Sequence, residues 1–208
     1  MQVAGGIKLA DNFKLLLSLA VNLISMRLFT VFFLLFSFFS MLAQDKKSMG
    51  VHLGIPIIHE KLTEGRKYKP FQLLFYYNFA DLLKGRKNDL VVYLEPQLVW
   101  VHFSPKDKRE FEFGANLGIE YRLHLSENSS LTAAIGSGPH FITVETKQQV
   151  KGFIFSDNFS AGLRRRLGDS GVNLDLKCRF RHISNANLKL PNKGIDSWFL
   201  IAGLTKEW

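Results

Sequence analysis

The chain has a single cysteine, Cys178, in 208 residues, which excludes an internal disulfide. No Cys/His cluster has the spacing of a zinc site, so neither a metal nor a cofactor is expected. Acidic residues are outnumbered: 18 Asp and Glu stand against 27 Lys and Arg, for a net charge of +9. A basic surface favours anionic partners, such as nucleic acid, anionic lipid or lipopolysaccharide phosphates. Nucleic acid finds no support, because the chain lacks a helical basic patch and an RNA-binding aromatic motif. Beyond residue 45 no stretch reaches about 18 apolar residues, so no spanning helix is expected in the body of the chain.

What is present falls into two regimes. Met26-Arg27 is followed by an apolar run to Phe39 and then by Ser40, Met41, Leu42, Ala43 and Gln44. One basic residue, about a dozen apolar residues and a small or polar close form the layout of a secretory signal peptide. Residues 1–44 are therefore read as a signal-peptide region cleaved near Ala43 or Gln44. Met26 is read as the true start, and residues 1–25 as the product of an upstream start.

Residues 45–208 form the second regime, in which apolar and polar residues alternate. Leu117, Ile119, Tyr121, Leu123 and Leu125 interleave with Gly118, Glu120, Arg122 and His124. Val172, Leu174, Leu176, Cys178 and Phe180 interleave with Asn173, Asp175, Lys177, Arg179 and Arg181. A period of two is the signature of strands with one apolar face. Eight strands are expected, over residues 48–59, 67–80, 89–103, 110–126, 129–145, 152–167, 171–185 and 195–207. A soluble sandwich would bury the apolar face, whereas a transmembrane barrel turns it outward. Full charges in strand centres, such as Glu120, Arg122 and Asp175, suit the polar interior of a small barrel. The strands are long for a soluble protein, and an apolar strand closes the chain at Trp208. The expected fold is all-β: an eight-stranded antiparallel transmembrane β-barrel, integral to the outer membrane of a Gram-negative cell. Eight strands enclose a space that side chains fill, so no pore is implied.

The stretch Arg179–Asp196 carries the candidate chemistry. His182 and Ser184 lie two apart, hence on one face of a strand. Pro191, Asn192 and Gly194 mark a turn, after which Asp196 opens the next apolar run. A serine, a histidine and a carboxylate are the parts of an activated-nucleophile triad. Parity continues the apolar even face of the seventh strand through Phe180 to His182 and Ser184. Counting back from an outward Trp208 places Asp196 outward as well. Ionisable groups at a lipid wall are costly and point to function, here action on a membrane lipid.

Arg181-His182-Ile183-Ser184-Asn185-Ala186 and Pro191-Asn192-x-Gly194-Ile195-Asp196, one strand before the C-terminus, resemble the lipid A 3-O-deacylase (acyloxyacyl hydrolase) family. The resemblance implies an eight-stranded outer-membrane barrel that hydrolyses the ester-linked acyl chain at the 3-position of lipid A. It implies Ser184 as nucleophile, His182 as general base, Asp196 as the acid and Asn185 as an oxyanion-hole donor. The best-known members carry Glu at the acid position, and often glycine where Asn187 stands. Lys189 and Lys193 are candidates for contact with substrate phosphates. The implied partners are lipid A or lipopolysaccharide and the outer-membrane lipids, with a homodimer left open. The scheme requires no metal. The competing reading is a non-catalytic small outer-membrane barrel, structural or adhesive, with a degenerate site.

Other clusters have blander readings. Glu120, Arg122 and His124 are expected in an interior charge network. Gly136-Ser137-Gly138 reads as a kink or turn, Arg164-Arg165-Arg166 as a solvated or headgroup-facing strand end with direct lipid-phosphate contact as the alternative, and Cys178 as a lipid-facing residue. N-terminal sequencing of the native precursor is expected to give a chain beginning at Met26; a product beginning at Met1 would contradict the short leader.

Overall fold

The structure, a computed structural model, describes residues 47–59, 62, 65, 67–104 and 108–208. The leader expected over residues 1–44 lies outside them. The described residues form eight strands: β1 (Ser48–His59), β2 (Lys67–Lys84), β3 (Asn88–Ser104), β4 (Lys108–Ser126), β5 (Ser129–Ile142), β6 (Gly152–Arg166), β7 (Val172–Ser184) and β8 (Ile195–Glu207). Each pairs antiparallel with its sequence neighbours, and β1 pairs with β8, closing the barrel. Closure leaves no unpaired strand edge.

Two strand ends differ from expectation by more than two residues. β2 runs four residues further, to Lys84, because Asp81–Lys84 pair with Asp89–Val91 across two register irregularities. β5 stops at Ile142, where the chain turns into a loop anchored by Thr143 N–H donating to Phe111 O.

Alternation decides which way each side chain faces. In β7, Asn173, Asp175, Lys177, Arg179, Arg181 and Ile183 are buried, while Leu176 and Cys178 are exposed. Large apolar residues such as Phe113, Leu117, Ile135, Phe159 and Leu204 are about half exposed around the wall. An outer wall this apolar suits lipid, not water.

The interior is filled in layers that follow β7. Ile183 joins an apolar cluster with Tyr68, Val99, Val101, Ile142, Val144, Ile154 and Ile195. Next along the strand, Arg181 donates to Glu112 Oε2 at 2.5 Å and Ser156 Oγ at 2.9 Å. Arg179 makes a bidentate pair with Glu95, 2.8 Å on each arm. Lys177 Nζ meets Glu120 Oε2 at 2.5 Å, and Arg122 donates to the other Glu120 oxygen at 2.8 Å. Asp175 accepts from Arg164 at 2.7 Å and contacts His52 at 3.1 Å.

Two expectations are corrected here. Arg164 is buried and ion-paired, because strand parity turns it inward while Arg165 faces out. Gly136 and Gly138 lie inside β5, not in a turn. They are small because neighbours fill their space: a Cβ on Gly136 would sit 2.8 Å from Tyr93 Oη, and one on Gly138 would collide with Ala115 O. His124 does join an interior network, though through Asp89 at 2.9 Å and Ser130 rather than through Glu120. Cys178 faces outward as expected.

The two ends of the barrel differ. Residues 85–87, 127–128 and 167–171 connect strands at one end; at the other, residues 143–151 join β5 to β6 and residues 185–194 join β7 to β8. Bacterial barrels have short periplasmic turns and longer extracellular loops, which puts residues 185–194 on the outer side. Removing one partner of a buried ion pair leaves an uncompensated charge. Glu120→Ala is therefore expected to destabilise the barrel by about 3–5 kcal/mol, read as a lowered urea midpoint in lipid vesicles.

Candidate active site

β7 and β8 pair so that His182 lies directly opposite Asp196. His182 Nδ1 and Asp196 Oδ1 are 2.6 Å apart. The shorter carboxylate reaches because it starts from the register partner itself and has only the inter-strand gap to cross. Ser184 follows His182 by two residues with no break in pleat, on the same outward face. The side chains of His182 and Asp196 are 36% and 56% exposed, so the pair opens sideways onto the wall rather than into the barrel.

The ring of His182 leans toward the row that holds Ser184. Ile183 pairs with Ile195, which sets Gly194 beside Ser184. A Cβ built on Gly194 would lie 2.4 Å from His182 Cε1 and 2.9 Å from Nε2. Gly194 also has φ +74°, a backbone region that favours glycine. Close approach and backbone conformation therefore make the same demand at this position.

Residues 185–194 form a braced turn. Asn185 is buried; its backbone N–H donates to Asn192 Oδ1 at 2.7 Å and its Nδ2 to Lys189 O at 2.6 Å. Asn192 Nδ2 donates to Asn187 Oδ1 at 3.1 Å. Ala186 and Asn187 both take positive φ, 51° and 62°; Asn tolerates this region better than most residues, Ala poorly. The loop over residues 143–151 holds the turn from the side. Lys193 N–H donates to Gln148 O, and Val150 N–H to Pro191 O. Lys189 and Lys193 are both exposed on this turn, above the outward pair.

Around the pair the wall is aromatic. Phe180 and Trp198, the next outward residues away from the turn, contact each other with ring centroids 5.3 Å apart. On the other flank of β7, Phe155 is the register partner of Ser184 and Asp157 that of His182. Asp157 Oδ1 accepts from Ser137 Oγ at 2.5 Å. Reading of the chain alone passed over these two residues and the role of Gly194. The signal for Asp157 was its place on an outward face otherwise made of Phe153, Phe155 and Phe159. Among the described residues no cluster of His, Cys, Asp and Glu could hold a metal ion.

The sequence profile of the family described as lipid A 3-O-deacylase (PagL) matches residues 61–205. The chain belongs to this family. Among solved structures, the outer-membrane enzyme PagL is similar at 17% identity over 76% of this chain and 98% of its own, with a TM-score of 0.55. Neisserial surface protein A (NspA) is similar at 10% identity over 79% of this chain and 100% of its own, with a TM-score of 0.56. At these identities both likenesses concern the barrel fold. No curated protein sequence matches.

Gly194→Ala is expected to displace the His182 ring and to lower any activity that depends on it by about 100-fold, since an ångström-scale misplacement has that effect. The check is an esterase assay on protein whose heat-modifiable migration shows an intact barrel.

Proposed function

We propose that the protein hydrolyses the ester-linked acyl chain at the 3-position of lipid A, using Ser184, His182 and Asp196 on the outer wall of an outer-membrane barrel. The observation that carries this reading is the 2.6 Å contact between His182 Nδ1 and Asp196 Oδ1, with Ser184 on the same face. The family membership supplies the substrate class.

Asp196 accepts the Nδ1 proton of His182, which leaves Nε2 as the basic nitrogen. Nε2 takes the Ser184 proton as Oγ attacks the ester carbonyl. The carbonyl oxygen becomes an oxyanion near residues 185–187. Asn185, the oxyanion donor implied by the resemblance, is buried with its backbone N–H and Nδ2 engaged inside the turn, so the backbone N–H groups of Ala186 and Asn187 are the donors in this scheme; each well-aimed donor lowers the barrier by about 3–4 kcal/mol. Collapse expels the sugar hydroxyl, protonated by His182. Water, activated by the same histidine, then releases the fatty acid from Ser184. Lys189 and Lys193 stand on the headgroup side and attract the lipid's phosphates.

Lipid A from cells expressing the protein is expected to lose one 3-linked acyl chain by mass spectrometry, and cells expressing Ser184→Ala to retain it. Unchanged lipid A in both would leave the non-catalytic barrel as the reading. Asp196→Ala is expected to lower kcat by about 10³–10⁴-fold, with part of the rate restored in Asp196→Glu. Full activity in Asp196→Ala would assign the acid elsewhere.

A further inference from the structure

Two polar groups beside His182 have no part in the chemistry above. Outward residues form rows across the wall, and one row reads Ser137 on β5, Asp157 on β6, His182 on β7 and Asp196 on β8. His182 therefore has a carboxylate-bearing neighbour on each side. Asp196 takes its Nδ1, while Asp157 turns instead to Ser137 Oγ, at 2.5 Å.

The setting of Asp157 makes it costly. The row toward the membrane interior holds Ile135, Phe159, Phe180 and Trp198. The row toward the loops holds Pro139, Phe155 and Ser184. An exposed carboxylate among aromatic and apolar side chains on a lipid-facing wall is unfavourable unless a ligand uses it. Ser137 satisfies one acceptor position and fixes the carboxylate's direction. An ionised carboxylate has further acceptor positions.

Its height on the wall indicates the ligand. Ser184 pairs with Phe155, so Asp157 lies one row closer to the membrane interior than the nucleophile, diagonal to it. Diagonal neighbours across a strand pair are about 7–8 Å apart. A lipid ester at Ser184 has its sugar toward the loops and its acyl chain running inward, so Asp157 flanks the acyl side of the ester. Being acceptor-only, it needs a donor on that chain, and the donor a fatty chain offers is a hydroxyl. A hydroxyl on the second carbon beyond the carbonyl lies about 3–4 Å from the carbonyl carbon by bond lengths near 1.5 Å. A hydrogen bond of about 2.7 Å then closes the diagonal. Further along the chain, a hydroxyl would meet Phe159 and Phe180.

We propose that Asp157, oriented by Ser137, is a specificity residue that accepts a hydrogen bond from a hydroxyl near the ester carbonyl of the acyl chain being removed. This rests on the esterase reading above and adds to it a selection for 3-hydroxyacyl over unsubstituted acyl esters.

The test uses the full-length protein in detergent micelles with two probes, the glucosamine O3 esters of 3-hydroxytetradecanoate and of tetradecanoate. The parent protein is expected to prefer the hydroxylated ester in kcat/KM by about tenfold or more, the range of a hydrogen bond to a charged group. Asp157→Ala is expected to abolish the preference by lowering kcat/KM on the hydroxylated ester alone. Asp157→Asn should keep part of it, since its amide oxygen still accepts, and Ser137→Ala should fall between. Equal rates of the parent on both esters, or equal losses on both in Asp157→Ala, would overturn the proposal. A parent protein inactive on both probes would instead overturn the esterase reading itself, and the proposal with it.

Discussion

The structure depends on the inward face of β7. Four successive inward residues, Arg181, Arg179, Lys177 and Asp175, are charged, and each meets an opposite charge on β4, β3, β4 and β6 respectively. Such charges tolerate no alternative register. A slip of one residue would turn every one of them into lipid and bring Leu174, Leu176 and Phe180 inside. Buried ion pairs contribute little net stability against an apolar core of the same volume, because desolvation offsets their attraction. Their stronger effect here is on uniqueness. They hold β7 at one height and one rotation, and the same strand carries His182 and Ser184 on its other face.

Positioning of the outward pair therefore comes from the inside of the barrel. His182 and Asp196 meet because β7 and β8 are locked in one register, not because a pocket surrounds them. The loop elements refine this placement. The turn over residues 185–194 is braced by Asn185 and Asn192 and gripped by the backbone of Gln148 and Val150. Gly194 lets the chain pass close over the histidine ring. The apolar layer around Ile183 and Ile195 sits directly behind the pair, so the residues between and beside those of the candidate site are fixed by close packing.

Much of this was legible in the chain. A period of two, sustained over long stretches with charges on one face, specifies strands, their number and the side each residue takes. Parity alone placed His182, Ser184 and Asp196 outward. Facts about pairing were not legible. That Asp157 stands beside His182, or that Ser137 stands beside Asp157, depends on registers between β5, β6 and β7 that no local pattern encodes. The turn reading of Gly136 and Gly138 failed because a glycine needed for close strand approach looks locally like one needed for a turn. Arg164 was misread because three consecutive arginines suggest a solvated patch, whereas a pleat sends neighbours to opposite faces.

The exposure of the His182–Asp196 pair on the wall has a consequence for how such a site meets its ligands. A cleft samples a solution; a site open sideways samples a film. The quantity that fills it is the mole fraction of ligand among the surrounding lipids or detergents, and dilution of the bulk leaves that fraction unchanged. Adding inert amphiphile thins the film and empties the site, with no change in the protein or in the total amount of ligand.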